Sequence, residues 1–106
     1  MDDIRVWLAR ATAPLHKRVD LEAARFDVAT EEGAAGLLAF LAAGVRPVER
    51  ALAAAGAANL LPEWRERRRA ETLPPGREGP EPVLSGAAAA WGALYVLEGS
   101  RLGGRL

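Results

Sequence analysis

Apolar residues recur at steps of three and four along most of this 106-residue chain, the period of an amphipathic helix. Behind Asp2 or Asp3 as an N-cap, the positions Ile4, Leu8, Ala11, Leu15 and Val19 predict a first helix running to about Ala24. Pro14 removes one amide donor inside it and crowds the preceding turn, so a kink or break is expected near Arg10. Thr30 is the predicted cap of a second helix, with Glu31 and Glu32 suited to the dipole of its first turn. Leu37, Leu38, Phe40, Leu41, Val45, Val48 and Leu52 form its broad apolar face. Pro47 should bend this helix and Gly56 should stop it after about Ala55.

Leu60-Leu61-Pro62-Glu63-Trp64 predicts the start of a shorter third helix, with Pro62 at the first helical position, where its missing donor is not needed. From Thr72 to Leu84 the density of proline and glycine predicts a loop. Ser85 is the expected cap of a last helix, which begins with the small residues 86–90 and continues through Trp91, Leu94, Tyr95 and Leu97 into a glycine cluster. No segment alternates with the period of a strand, and no internal repeat is present. The expected class is all-α, about four helices in one domain spanning 1–106.

Composition narrows the partners. Half the residues are hydrophobic but only 6% are aromatic, so the core must be built from thin, closely spaced helices. Fourteen basic residues balance fourteen acidic ones, which gives no electrostatic reason to expect a nucleic-acid or anionic-membrane partner. The run Arg65-Glu66-Arg67-Arg68-Arg69 is the local exception, and with Glu63 and Glu71 beside it a solvated helix face is favoured over a nucleic-acid patch. The absence of cysteine removes disulfides, thiolate metal sites and cysteine nucleophiles, and is compatible with a reducing cytosol. Met1-Asp2-Asp3 does not open a secretory signal, and no apolar run has membrane length, so a cytoplasmic protein without a membrane partner is expected.

Gly99, Gly103 and Gly104 each cost a helix about 1 kcal/mol relative to alanine, which suggests that something approaches the backbone closely. They have neither P-loop nor dinucleotide-motif spacing, and they close a helix where those motifs open one. Gly99 and Gly103 leave two bare patches one turn apart, where a planar group or another helix could lie. His16 is the sole histidine. It cannot build a conventional zinc site, but it can serve alone as an axial ligand to haem iron; the alternative is a surface or capping histidine beside Lys17 and Arg18. Asp20, four residues on, could accept a hydrogen bond from the second ring nitrogen, or could be an ordinary solvated carboxylate.

Two motifs carry a family resemblance: Leu8-Ala9-Arg10-Ala11-Thr12-Ala13-Pro14-Leu15-His16-Lys17-Arg18-Val19-Asp20, and Gly92-Ala93-Leu94-Tyr95-Val96-Leu97-Glu98-Gly99-Ser100-Arg101-Leu102-Gly103-Gly104. Their order and spacing, with Pro47, Glu49, Leu60, Leu61, Pro62 and Trp64 between them, resemble the bacterial biliverdin-producing haem (heme) oxygenases over nearly the whole chain. The resemblance implies a haem oxygenase-like helical bundle, in its N-terminal part, with haem between a proximal and a distal helix. His16 would be the iron ligand, with Asp20 behind it. Gly99, Gly103 and Gly104 would let the distal backbone lie over the iron, and Ser100 would help deliver protons through nearby water.

Lys17 and Arg10 are the cations nearest to hand for the haem propionates, against plain solvent exposure. Tyr95 could line the distal pocket, although Tyr95 and Trp91 at this spacing read by themselves as core. Glu98 is expected to pair with a neighbouring helix. The implied reaction is oxidative cleavage of haem to biliverdin, ferrous iron and carbon monoxide, using dioxygen and an electron-donor protein or other reductant. Asp20 stands where the family usually has glutamate, and family members continue past the distal glycines into further helices. A C-terminally shortened member is therefore expected, either a homodimer that covers its bare apolar faces or a fragment of limited stability. A haem-binding protein without catalysis, and a helical interaction module without cofactor, are the alternatives.

Overall fold

The structure is a computed structural model that describes residues 3–103, the last four by their backbone alone. All its regular elements are helical: α1 Ile4–Ala23, α2 Glu31–Ala54, α3 Ala57–Leu60, α4 Trp64–Arg67, a 3-10 turn at Ala70–Thr72, and α5 Gly86–Gly103. Among the described residues there is no strand, and no helix is long and apolar enough to cross a membrane. The class is all-α. The chain forms two compact units, Met1–Leu37 and Leu38–Leu106.

In the first unit, Asp3 caps α1: its Oδ1 accepts from the Arg5 amide at 2.9 Å, and the Arg5 guanidinium donates to both carboxyl oxygens. These bonds hold the Asp3 carboxyl below its usual pKa. The alternative cap, Asp2, lies outside the described residues. α1 runs uninterrupted through Pro14, so the expected break near Arg10 does not occur. Pro14 takes only one donor from the ladder, and the exposed setting of that stretch leaves the freed carbonyl of Arg10 open to water. No residue of α1 is buried.

Thr30 caps α2 as expected, its Oγ1 accepting from the Gly33 amide at 2.9 Å and donating to the Asp27 carbonyl at 2.9 Å. The turn is so tight that a Cβ on Gly33 would lie 1.7 Å from the Asp27 oxygen, so no other residue fits there.

The second unit is built on the C-terminal half of α2. Gly56 adopts a left-handed conformation, φ 81, and ends that helix, as its position predicts. Leu52, Ala57, Trp64, Ala90, Leu94 and Leu97 form the core, with Val45, Val48, Leu60, Leu61, Leu84 and Ala93 packed around it. The helix expected to begin at Pro62 starts later, and an additional short helix, α3, precedes it. A residue before proline is driven out of the helical region, and Leu61 is extended at φ −133, ψ 102. Pro62 therefore stands in a turn, closed by the Trp64 amide donating to the Leu61 carbonyl at 2.9 Å, and α4 begins only at Trp64.

After the 3-10 turn the backbone is irregular to Ser85, held by one stripe of α2. The Glu49 carboxyl accepts from the Arg69 amide at 2.6 Å and the Ala70 amide at 2.9 Å. Arg46 donates to the carbonyls of Leu73 at 2.6 Å and Pro74 at 2.5 Å. Arg50 pairs with Glu78 and with Glu81, the latter at 2.8 Å. Pro47 has no N–H to offer the Ala43 carbonyl, and the Gly79 amide fills that vacancy at 2.8 Å. Ser85 precedes α5, but its hydroxyl makes no hydrogen bond among the described residues, so it is not the expected side-chain cap; the helix starts at Gly86 with φ 82.

Candidate functional site

Two sets of residues carry the candidate chemistry, one in each unit. On α5 the inner face is buried through Ala90, Leu94 and Leu97, which turns the opposite side outward. Helical periodicity puts Gly92, Val96 and Gly99 on one such outer face, with Gly103 in register with them along the helix backbone. A Cβ placed on Gly92 or Gly99 would meet nothing within 4 Å, so these glycines are not required by internal packing. Val96 between them is 67% exposed. The face is bare, helical and open to a flat partner. Ser100 and Gly103 lie on the same helix by their backbone, and Gly104 lies outside the described residues.

Tyr95 and Trp91 depart from the core reading. Tyr95 is 81% exposed and Trp91 47%, because the four-residue step that joins them points away from the stripe of Ala90, Leu94 and Leu97. With Leu61, Leu94, Arg67 and Glu98 they line a largely apolar cavity of about 540 Å³. Glu98 pairs with Arg67 of α4, Nη1 to Oε2 at 3.0 Å, as expected of a residue tying α5 to a neighbouring helix.

On α1, His16 and Asp20 occupy successive turns of one face. Both are exposed, as are Lys17 and Arg10. No hydrogen bond joins His16 to Asp20, and none of these four side chains has a hydrogen bond or ion pair among the described residues. The imidazole nitrogens of His16 are therefore uncommitted. Among the described residues no group of three or more His, Cys, Asp or Glu side chains could hold a metal ion by itself.

The residues fit haem at each location taken separately. An imidazole with no hydrogen-bond partner is a competent iron ligand, and glycines that open on free space give a planar ring access to a helix backbone. Lys17 and Arg10 are unpaired cations able to meet carboxylates.

Sequence reasoning missed the charged stripe of α2 that holds the segment after α4. Its signal was present: Arg46, Glu49 and Arg50 interrupt an otherwise apolar helical face around Pro47. Only Glu49 of the three is buried, at 4% exposure, and a buried acid must be hydrogen-bonded. It also missed a cavity beside the basic run, walled by Arg65 and Arg68. Residues 65–68 of the run are exposed, as a solvated face should be, whereas Arg69 is half-buried and donates to the Leu97 carbonyl at 3.2 Å; only its first three residues are helical. Comparison of the chain with known protein families, curated proteins and solved structures finds no match.

Proposed function

We propose that this chain binds haem in the manner of a haem oxygenase and supports oxidative cleavage of the macrocycle to biliverdin, ferrous iron and carbon monoxide. The observation that carries the reading is the open glycine face of α5. Glycines there cost helix stability, yet Gly92 and Gly99 confine no neighbour, so their return must come from something outside the described contacts. A flat macrocycle is such a partner.

In this reading haem supplies the oxygen and redox chemistry, with electrons from a donor protein or another reductant. His16 provides the single side-chain ligand, and Asp20 orients its ring by accepting the other ring N–H, directly or through one water. Lys17 and Arg10 offer charge to the propionates. The bare backbone at Gly99 and Gly103 keeps side chains off the reacting face, and Ser100 holds water from which protons pass. Tyr95 flanks that face with its ring.

The test is a haem titration followed by absorbance, with wild type and His16→Ala compared, and ascorbate then added under air. A saturable Soret shift that His16→Ala abolishes, followed by the biliverdin spectrum in wild type only, is expected. Ligation without biliverdin would reduce the function to haem binding. The same open face, flanked by exposed Trp91, Tyr95 and Val96, supports a second reading, close contact with another helix and no cofactor. Identical haem spectra for wild type and His16→Ala would favour it.

A further inference from the structure

Two cavities adjoin at Ala53 and Arg68. One, of about 260 Å³, is lined by Ala53, Gly56, Ala58, Trp64, Arg65 and Arg68. The other, of about 210 Å³, adds Arg46, Glu49 and Arg50 to the shared residues. Four guanidinium groups border this depression, and their donors are not equally committed. Arg46 is spent on the backbone carbonyls of residues 70, 73 and 74. Arg50 is spent on Glu78 and Glu81. Arg65 has no hydrogen bond or ion pair among the described residues. For Arg68 the one carboxyl in range is that of Glu71 at 3.7 Å, too far for a hydrogen bond.

The first cavity thus holds two guanidinium groups that make no hydrogen bond among the described residues, Arg68 keeping only its longer ion pair with Glu71; each has five N–H donors in a planar fork, and no carboxylate lines the cavity. Glu63 and Glu66, on the same turn as Arg65, are not among its walls. Its remaining lining residues are Ala53, Gly56, Ala58 and Trp64. Guanidinium forks match the oxygens of phosphate, and two of them match a dianion where one would satisfy a monocarboxylate. At about 260 Å³ the space lies just below the usual range for ligand pockets, roughly 300 to 1,000 Å³. The organic part must be small.

The geometry points to a binding site for a small phosphate monoester, held at its phosphate by Arg65 and Arg68 and at its organic part by Ala53, Ala58 and Trp64. This site owes nothing to the haem reading.

Trp64 reports on it directly, because the chain has only three tryptophans, Trp7, Trp64 and Trp91, and their indole N–H resonances can be followed separately by NMR. Phenyl phosphate and inorganic phosphate are titrated at constant ionic strength into wild type, Arg65→Ala and Arg68→Ala, with benzoate as the monoanion arm. The expected result is a saturable shift of the Trp64 resonance with phenyl phosphate, a weaker response to inorganic phosphate, and unmoved Trp7 and Trp91. Each substitution should weaken binding by about tenfold or more, as loss of a charged hydrogen bond implies, and both side chains are exposed enough to leave the fold intact. No shift, equal movement of all three indoles, equal affinity for benzoate, or unaltered binding in both variants would overturn the proposal.

Discussion

Glu49 is the buried charged side chain among the described residues, at 4% exposure, and both its oxygens are occupied by backbone amides. Removing it would strand the Arg69 and Ala70 N–H groups in a part-buried setting, and each buried unsatisfied donor costs about 1–3 kcal/mol. Glu49→Ala should therefore lower the unfolding free energy by about 2–3 kcal/mol, read from urea denaturation. Glutamine should not rescue it, because it offers one acceptor and sets an amide donor against the second N–H. An unchanged denaturation midpoint for Glu49→Ala would refute this role. The polar interruption at Glu49 is visible in the sequence but its partners are not, because they are amides 20 and 21 residues away in a segment without periodicity. Thr30 and Asp3 were legible for the opposite reason, since a cap bonds within its own first turn.

At the scale of elements, the long helices follow from periodicity, and the departures trace to prolines acting on their neighbours. With Leu61 extended before Pro62, the helix expected to begin at Pro62 begins only at Trp64, and a separate short helix ends at Leu60. Pro47 leaves α2 uninterrupted and instead frees the Ala43 carbonyl for Gly79. In Pro47→Ala a new N–H at position 47 would compete for that carbonyl. The Gly79 amide should then exchange hydrogen faster than in wild type even though the helix itself gains propensity; equal exchange in the two would show that the loop does not depend on the proline.

The same loop has a pH dependence. Hydrogen bonding to Arg50, with smaller contributions from the charges of Arg50 and Arg46, holds the Glu78 carboxyl below its usual pKa. A lowered folded pKa stabilises the docked loop above the unfolded carboxylate range, and that contribution is lost as pH falls through the folded value. An NMR titration of Glu78 should give a midpoint below that in Arg50→Gln, with the gap closing in high salt. Equal midpoints would count against the pairing.

Across the whole molecule the burial is uneven. The unit beginning at Leu38 holds the core of Leu52, Ala57, Trp64, Ala90, Leu94 and Leu97, whereas α1, in the other unit, buries no residue. Ile4, Trp7 and Leu15 on it are 69%, 62% and 58% exposed. The amphipathic stripe that made α1 legible in the sequence is thus a stripe without a described cover, which periodicity cannot reveal because it reports a face and not its partner. Most helical stability in proteins comes from packing of an amphipathic face, and regions with few buried apolar contacts open at low free energy. Amides of Ile4–Ala23 should accordingly exchange hydrogen at a lower opening free energy than those of Val45–Leu52 or Ala90–Leu97. Haem sharpens the expectation, since a ligand that binds only the folded helix stabilises it in proportion to the logarithm of its concentration over Kd. Adding haem should slow exchange along α1 in wild type and leave it unchanged in His16→Ala. Equal slowing in both would remove His16 as the ligand, and slowing confined to α5 would assign the bare glycine face a role that needs no ligand from α1.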